Sequence, residues 1–200
     1  VEGDARRRLT LDQMARAAAA REGLAPGTDA ELCVTHVYEP PLVTFSNSTH
    51  VAVVDVDPET GAVEVVRYVV VEDCGEMINP GIVAGQLHGG TVHGLANALF
   101  EALCYDEGGQ LLTTSFISYG LPSAREAPHI ELDHIVTPSL QTEGGVKGMG
   151  ESGTMGPAAA ILNAISDALE PLGVQPLSCV PATPERVWGA IKRARQGRET

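Results

Sequence analysis

The stretch Gly144-Gly145-Val146-Lys147-Gly148-Met149-Gly150-Glu151-Ser152-Gly153-Thr154-Met155-Gly156 constrains this chain more than any other part of it. Six glycines in thirteen residues open backbone conformations closed to other residues, and they let main-chain N–H groups converge on an anion. The apolar run that follows predicts a helix over about 157–170, with its N-terminal amides and dipole directed back at the loop. One reading is a place to hold an anionic ligand. The other is a flexible glycine loop with a solvated glutamate.

Two nucleotide motifs are tested by the same residues. The phosphate loop GxxxxGK[ST] fails, because Lys147 is followed by Gly148. The dinucleotide fingerprint GxGxxG matches literally at Gly148, Gly150 and Gly153, but it requires a buried parallel strand ending at Gly148. Residues Thr137 to Glu143 are poor material for one, and no convincing second strand follows the helix.

The rest of the chain reads as strand hairpins mixed with long helices, an α+β pattern. Thr10 is placed to cap a helix over 11–22, with Leu11, Met14, Ala15 and Ala18 at helical spacing. Strands are expected near 31–37 and 50–57. Pro58-Glu59-Thr60-Gly61 should turn the second of these into a third strand over 62–71. Residues 72–80 read as a loop whose acids, Glu72, Asp73 and Glu76, are solvated in the usual way. A long helix over 82–104 starts close to Pro80, and Gly85, Gly89, Gly90 and Gly94 fall inside it. Each glycine costs a helix interior about 0.5–1 kcal/mol relative to alanine. Such a run makes sense where another helix, or a ligand, approaches the backbone. Short strands near 110–118 and 129–136 and a last helix over about 184–195 complete the reading.

Composition narrows the function classes. A net charge of −13 argues against a nucleic-acid or anionic-membrane partner, since both want a basic face. No apolar run approaches the roughly 20 residues that span a bilayer, and no signal peptide is visible. Cys33, Cys74, Cys104 and Cys179 lack metal-ligand spacing and read as reduced, mostly buried thiols in the cytoplasm. His88 and His93 are five apart on one helix, so they do not share a face as a metal pair would. The C-terminal basic residues Arg186, Lys192, Arg193, Arg195 and Arg198 read as a solvated face or a contact for an acidic partner. The start at Val1, running directly into a charged segment, suggests a fragment or a processed chain.

Three segments taken together resemble the large subunit of the molybdenum hydroxylases: xanthine oxidase, aldehyde oxidase and carbon monoxide dehydrogenase. They are VEDCGEMINP (71–80) leading into GQLHGGTVHGLANAL (85–99), YDEGGQLLTTSFISYGLPSA (105–124) and VTPSLQTEGGVKGMGESGTMG (136–156). The order and spacing look most like the carbon monoxide dehydrogenase branch, over roughly residues 30–170. The resemblance implies an α+β fold, with β-hairpins in mixed sheets packed with long helices, as in a molybdopterin-binding domain. It implies a tail and helix over 1–30, a cofactor-binding domain over 31–175 and a C-terminal helix and tail over 176–200. It assigns Glu151 as the catalytic base beside molybdenum and Gln86 as a hydrogen-bond partner of the pterin. The backbone of Val146, Lys147, Gly148, Met149 and Gly150 would lie against the cofactor, with Asp73 and Cys74 in a loop near it. No metal ligand is expected from the chain itself.

The implied reaction is hydroxylation with water as the oxygen source, on carbon monoxide, an aldehyde, a purine or another N-heterocycle. The implied cofactor is molybdenum–molybdopterin in its cytosine dinucleotide form. Iron–sulfur and flavin (FAD) groups would sit on partner chains, so the expected partners are the remainder of the large subunit, an iron–sulfur subunit and a flavin subunit. The family's other cofactor loops, its substrate pocket and the copper-holding cysteine of the carbon monoxide branch lie upstream of the matching region. The chain is therefore expected not to hold a complete active site alone, and a non-catalytic assembly module is the competing reading.

Overall fold

The computed structural model describes residues 8–21, 25–26, 35–39 and 43–197. The chain divides into two units, Val1–Pro40 and Pro41–Thr200. In the first, α1 (Leu11–Ala20) opens on a capping box. Thr10 Oγ1 accepts from the Gln13 amide at 3.2 Å, and Gln13 Oε1 accepts from the Thr10 amide at 2.9 Å. The strand expected near 31–37 lies partly outside the described residues, and residues 35–37 are not in a strand.

The second unit is built on a three-stranded sheet in the order β1-β2-β3. β1 (Asn47–Val56) and β2 (Val63–Asp73) form the expected antiparallel hairpin, with a register shift at Val53/Val54. β3 (Ile130–His134) pairs with β2 in parallel, so the sheet is mixed. On β2 the alternate residues Tyr68, Val70 and Glu72 are buried, as the two-residue period of a strand requires.

The hairpin turn is tied by Asp57, whose carboxylate accepts from the Glu59 amide at 2.9 Å and the Thr60 hydroxyl at 2.6 Å. Gly61 takes φ +75° there, and a Cβ on it would sit 2.1 Å from the Pro184 carbonyl oxygen. Gly61→Ala should therefore lower stability by about 1–3 kcal/mol, through overpacking added to left-handed strain. A urea melt checks it: an unchanged midpoint would show that the turn yields freely.

Helices cover the sheet. α2 runs Pro80–Leu99, two residues earlier at its start and five earlier at its end than the sequence predicts. Asn79 Oδ1 accepts from the Ile82 amide at 3.2 Å and Pro80 occupies the first turn, which places the start. At the other end, Phe100 leaves helical geometry at φ −125°. α4 (Ser152–Met155) is a single turn, separated at Gly156 from α5 (Pro157–Leu169), and α6 runs Pro184–Gln196. The core joins Tyr68 of β2, Leu95 of α2, Ile161 and Ile165 of α5, and Val187 and Ile191 of α6, all at most 1% exposed. Fully burying side chains of this size contributes about 1.5–3 kcal/mol each.

The strand expected over 110–118 is absent. Leu111 makes only an isolated bridge to Tyr105, and Phe116–Tyr119 form a helical turn, α3. Ser115 opens that turn and Gly120 closes it at φ +79°, so two local caps outweigh the strand preference of Phe116, Ile117 and Tyr119. The thiols also differ from expectation: Cys74 is buried, but Cys104 and Cys179 are exposed. Both exposed thiols lie in irregular segments.

Candidate active site

The glycine loop is held from both sides. Val146 bridges Gly75 in antiparallel fashion and Gly148 bridges Phe45 in parallel, so residues 146–148 behave as a short rung between two segments. The Lys147 amide donates to the Cys74 carbonyl at 2.9 Å, and the Thr142 hydroxyl donates to the Val146 carbonyl at 2.6 Å. No strand leads into Gly148, which removes the dinucleotide-fingerprint reading.

Lys147 Nζ lies 3.3 Å from Asp73 Oδ1, with side chains only 11% and 14% exposed. The same carboxylate oxygen accepts from the Gly75 and Thr137 amides at 3.0 and 3.1 Å. Thr137 above all, with Gly75 and Lys147, holds the Asp73 pKa well below the ordinary aspartate value. Its contribution to stability is thus complete above the unfolded-state value of about 4 and is lost as pH falls below it. Asp73→Asn should lower stability by roughly 1–3 kcal/mol near neutral pH and flatten the acid limb of stability against pH. Thermal melts across that range test it, and identical acid limbs in variant and parent would contradict it.

The loop acids are not all solvated, as the sequence reading had them. β2 continues through Asp73, pairing Glu72 with His134 of β3, so Glu72 is a strand residue with its side chain wholly buried. Of the three acids only Glu76 is exposed.

The residues singled out from sequence separate into two groups. Asp73, Cys74, Val146 and Lys147 fasten the loop: Cys74 is 4% exposed, its thiol pKa raised by burial, and the Lys147 ammonium is committed to Asp73 rather than to Glu151. Met149 is half-buried against the core. Gln86, Gly148, Gly150 and Glu151 are exposed. Gln86 Nε2 lies 3.7 Å from where a Cβ on Gly150 would stand, which sets the α2 amide beside the residue preceding Glu151. Glu151 sits immediately before α4 and forms no ion pair or side-chain hydrogen bond among the described residues. With Gly148, Met149 and Gly150 it lines an open groove of about 740 Å³, whose other wall is Thr44 to Ser48.

Packing resolves the two readings of the α2 glycines by position. A Cβ on Gly90 would stand 3.0 Å from Gly153 Cα, and one on Gly94 would stand 2.7 Å from the Thr154 carbonyl and from Pro157 Cγ. These glycines let α2 cross α4 and α5 closely. Gly85 and Gly89 are different: a Cβ on either would meet nothing within 4 Å. They leave an open strip of backbone beside Gln86, one helical turn apart.

The helix expected to aim its amides at the loop is reached through the single turn α4. The Ser152 and Thr154 amides of that turn are bonded to the Met149 and Glu151 carbonyls, and α5 begins with proline, which has no N–H. A polar cluster that sequence reading missed lies behind α4. Ser46 Oγ and Ser152 Oγ are 2.6 Å apart, His50 Nε2 is 3.1 Å from the Ser152 carbonyl, and His50 Nδ1 is 3.0 Å from the Tyr68 hydroxyl. Only the alternation of β1 and β2 hinted at it.

The mixed sheet is covered by a glycine-spaced helix whose Gln86 amide stands beside the glycine loop that carries the exposed Glu151. The chain belongs to the molybdopterin cofactor-binding domain family, which matches residues 1–128. It is 48% identical to the nicotine 6-hydroxylase large subunit of Paenarthrobacter nicotinovorans, over 85% of this chain and 20% of that one. To the carbon monoxide dehydrogenase large chain of Hydrogenophaga pseudoflava it is 41% identical, with the same coverage. Among solved structures, quinoline 2-oxidoreductase from Pseudomonas putida 86 superposes with a TM-score of 0.81 at 42% identity, covering 88% of this chain and 22% of that one. Carbon monoxide dehydrogenase from Oligotropha carboxidovorans gives 0.86 at 32% identity, over 98% and 24%. The chain thus spans about a fifth of the length of the curated relatives it matches. Among the described residues, no helix is long and apolar enough to cross a membrane, and no three His, Cys, Asp or Glu side chains are grouped to hold a metal ion.

Proposed function

We propose that this chain supplies the catalytic base and part of the cofactor cradle of a molybdenum hydroxylase. The observation that carries the reading is the approach of the Gln86 amide to Gly150, the residue before Glu151, beside the open strip at Gly85 and Gly89. A planar, phosphate-bearing pterin suits such a place: backbone without side chains permits close approach, and the Gln86 amide can both donate and accept. The cytosine dinucleotide form, with iron–sulfur and flavin groups on partner chains, is part of this proposal. So are the remaining portion of the large subunit and the iron–sulfur and flavin subunits as partners.

When bound, the molybdenum centre would supply two-electron oxidation of carbon with oxygen drawn from water. Glu151 contributes by taking up the proton released as the substrate is hydroxylated. Gln86 orients the cofactor, and the Asp73–Lys147 pair keeps the loop that carries Glu151 from drifting. The relatives named for nicotine and quinoline favour an electron-poor N-heterocycle as the substrate class over carbon monoxide. Molybdenum analysis and dye reduction on the complex purified from its native host test the proposal. Metal together with reduction of dye by an N-heterocycle is expected; neither would favour the assembly-module reading.

A further inference from the structure

Among the described residues, the least satisfied group is the Glu72 carboxyl. It is 0% exposed, and neither oxygen has a hydrogen-bond partner. Its side chain points from β2 to the same side as Tyr68 and Val70, beneath the turn that carries Glu151. The Ser46 and Ser152 hydroxyls face it and pull its pKa down, yet neither completes a hydrogen bond to it. Burial has the larger influence and, with the Asp73 charge, raises the pKa, while Lys147 acts in the opposite sense. The other titratable groups around the cluster are Cys74, whose pKa burial raises, and His50, whose pKa burial lowers. Tyr68 is pushed up as well, also by burial. All three therefore favour their neutral forms.

An ionised carboxylate kept from water without donors costs several kcal/mol, and a group so placed takes up a proton instead. A protonated carboxyl has an O–H to donate, and serine hydroxyls accept. The Ser46–Ser152 pair, 2.6 Å apart, uses one of its two hydroxyl hydrogens and leaves a single hydrogen and several lone pairs free, so it is better equipped to accept from a protonated carboxyl than to solvate a charged one. Ser152 is the first residue of α4 and follows Glu151 directly. Its carbonyl is held from the other side by Ser48 Oγ at 3.4 Å and His50 Nε2 at 3.1 Å.

We propose that Glu72 is a buried, neutral carboxylic acid that holds the Ser46–Ser152 hydroxyl pair, and through Ser152 sets the position of the Glu151 carboxylate. Glu72 is a positioning residue. Its role in turnover rests on the reading of Glu151 as base, whereas its protonation state does not.

The test uses the assembled enzyme with Glu72→Gln, Glu72→Leu and Ser152→Ala. Infrared difference spectra of the parent against Glu72→Gln should show a protonated-carboxyl C=O stretch at pH values where surface carboxylates are ionised. No such band means that Glu72 is ionised and overturns the proposal. Glu72→Leu should lower kcat per bound molybdenum on the order of 10²-fold with KM little changed, the size of effect a displacement near 1 Å can have. Glu72→Gln, which keeps neutral donor and acceptor groups, should recover most of that loss. An unchanged kcat per molybdenum in Glu72→Leu would sink the positioning role. If Glu72→Leu does not assemble, Ser152→Ala decides: the band should shift toward that of an unbonded carboxyl, and an unshifted band refutes the Glu72–Ser152 link. A band that behaves as expected while Glu151→Gln retains full turnover would instead count against Glu151 as base.

Discussion

Glu151→Gln should leave the assembled enzyme with its cofactor and nearly without its turnover, kcat falling about 10²–10⁴-fold. That range is what a positioned general base commonly contributes. The substitution is nearly isosteric, and the parent side chain is exposed and makes no hydrogen bond or ion pair among the described residues, so the fold has little to lose. Molybdenum content and single-turnover rates measured on the same sample separate the two effects. Retained cofactor with lost turnover supports the assignment. Full turnover would refute it, and lost cofactor would reassign Glu151 to holding the cradle together.

Gly89→Leu should fold at least as well as the parent and bind cofactor about 5–150-fold less well. In most helices a glycine this far from an end is a liability, and leucine restores about 0.5–1 kcal/mol of helix stability. Among the described residues a Cβ at Gly89 meets no atom within 4 Å. Opposition to the change would come from a group bound on the open strip. Overfilling such a contact costs roughly 1–3 kcal/mol, equivalent to about 5–150-fold in affinity. Gly94→Leu is the contrasting case: its Cβ would stand 2.7 Å from the Thr154 carbonyl, so the loss appears in the melting temperature. A Gly89→Leu enzyme with full molybdenum content would show that the strip is not where the cofactor lies.

Much of the architecture was legible from residue order. Thr10 announced α1, the β-branched runs on either side of Gly61 announced the hairpin, and Pro80 marked the start of α2 to within two residues. These are local signals, and capping and turn chemistry act over three or four residues. Residues 110–118 misled for the same local reason: their β-branched content favoured a strand, and no neighbouring strand pairs with them beyond one bridge.

The glycines and acids show where local reading ends. By sequence Gly85, Gly89, Gly90 and Gly94 are one motif with two possible uses. Only the approach of α4 and α5 reserves Gly90 and Gly94 for helix packing and leaves Gly85 and Gly89 open. Likewise Glu72, Asp73 and Glu76 are three acids in a row of loop-like residues. The Ser46 and Ser152 side of the fold closes over the first, the arrival of Lys147 from 74 residues away neutralises the second, and the third stays in water.

Sequence alone therefore determined most of the elements, the family resemblance and the candidate carboxylate, since those depend on residue type and near-neighbour spacing. Tertiary structure decided which glycines face a partner helix, which carboxyl is stripped of water, and that Gln86 stands beside the Glu151 loop. Those outcomes depend on distances between segments far apart in the chain, where burial and charge pairing are set by what comes to lie alongside.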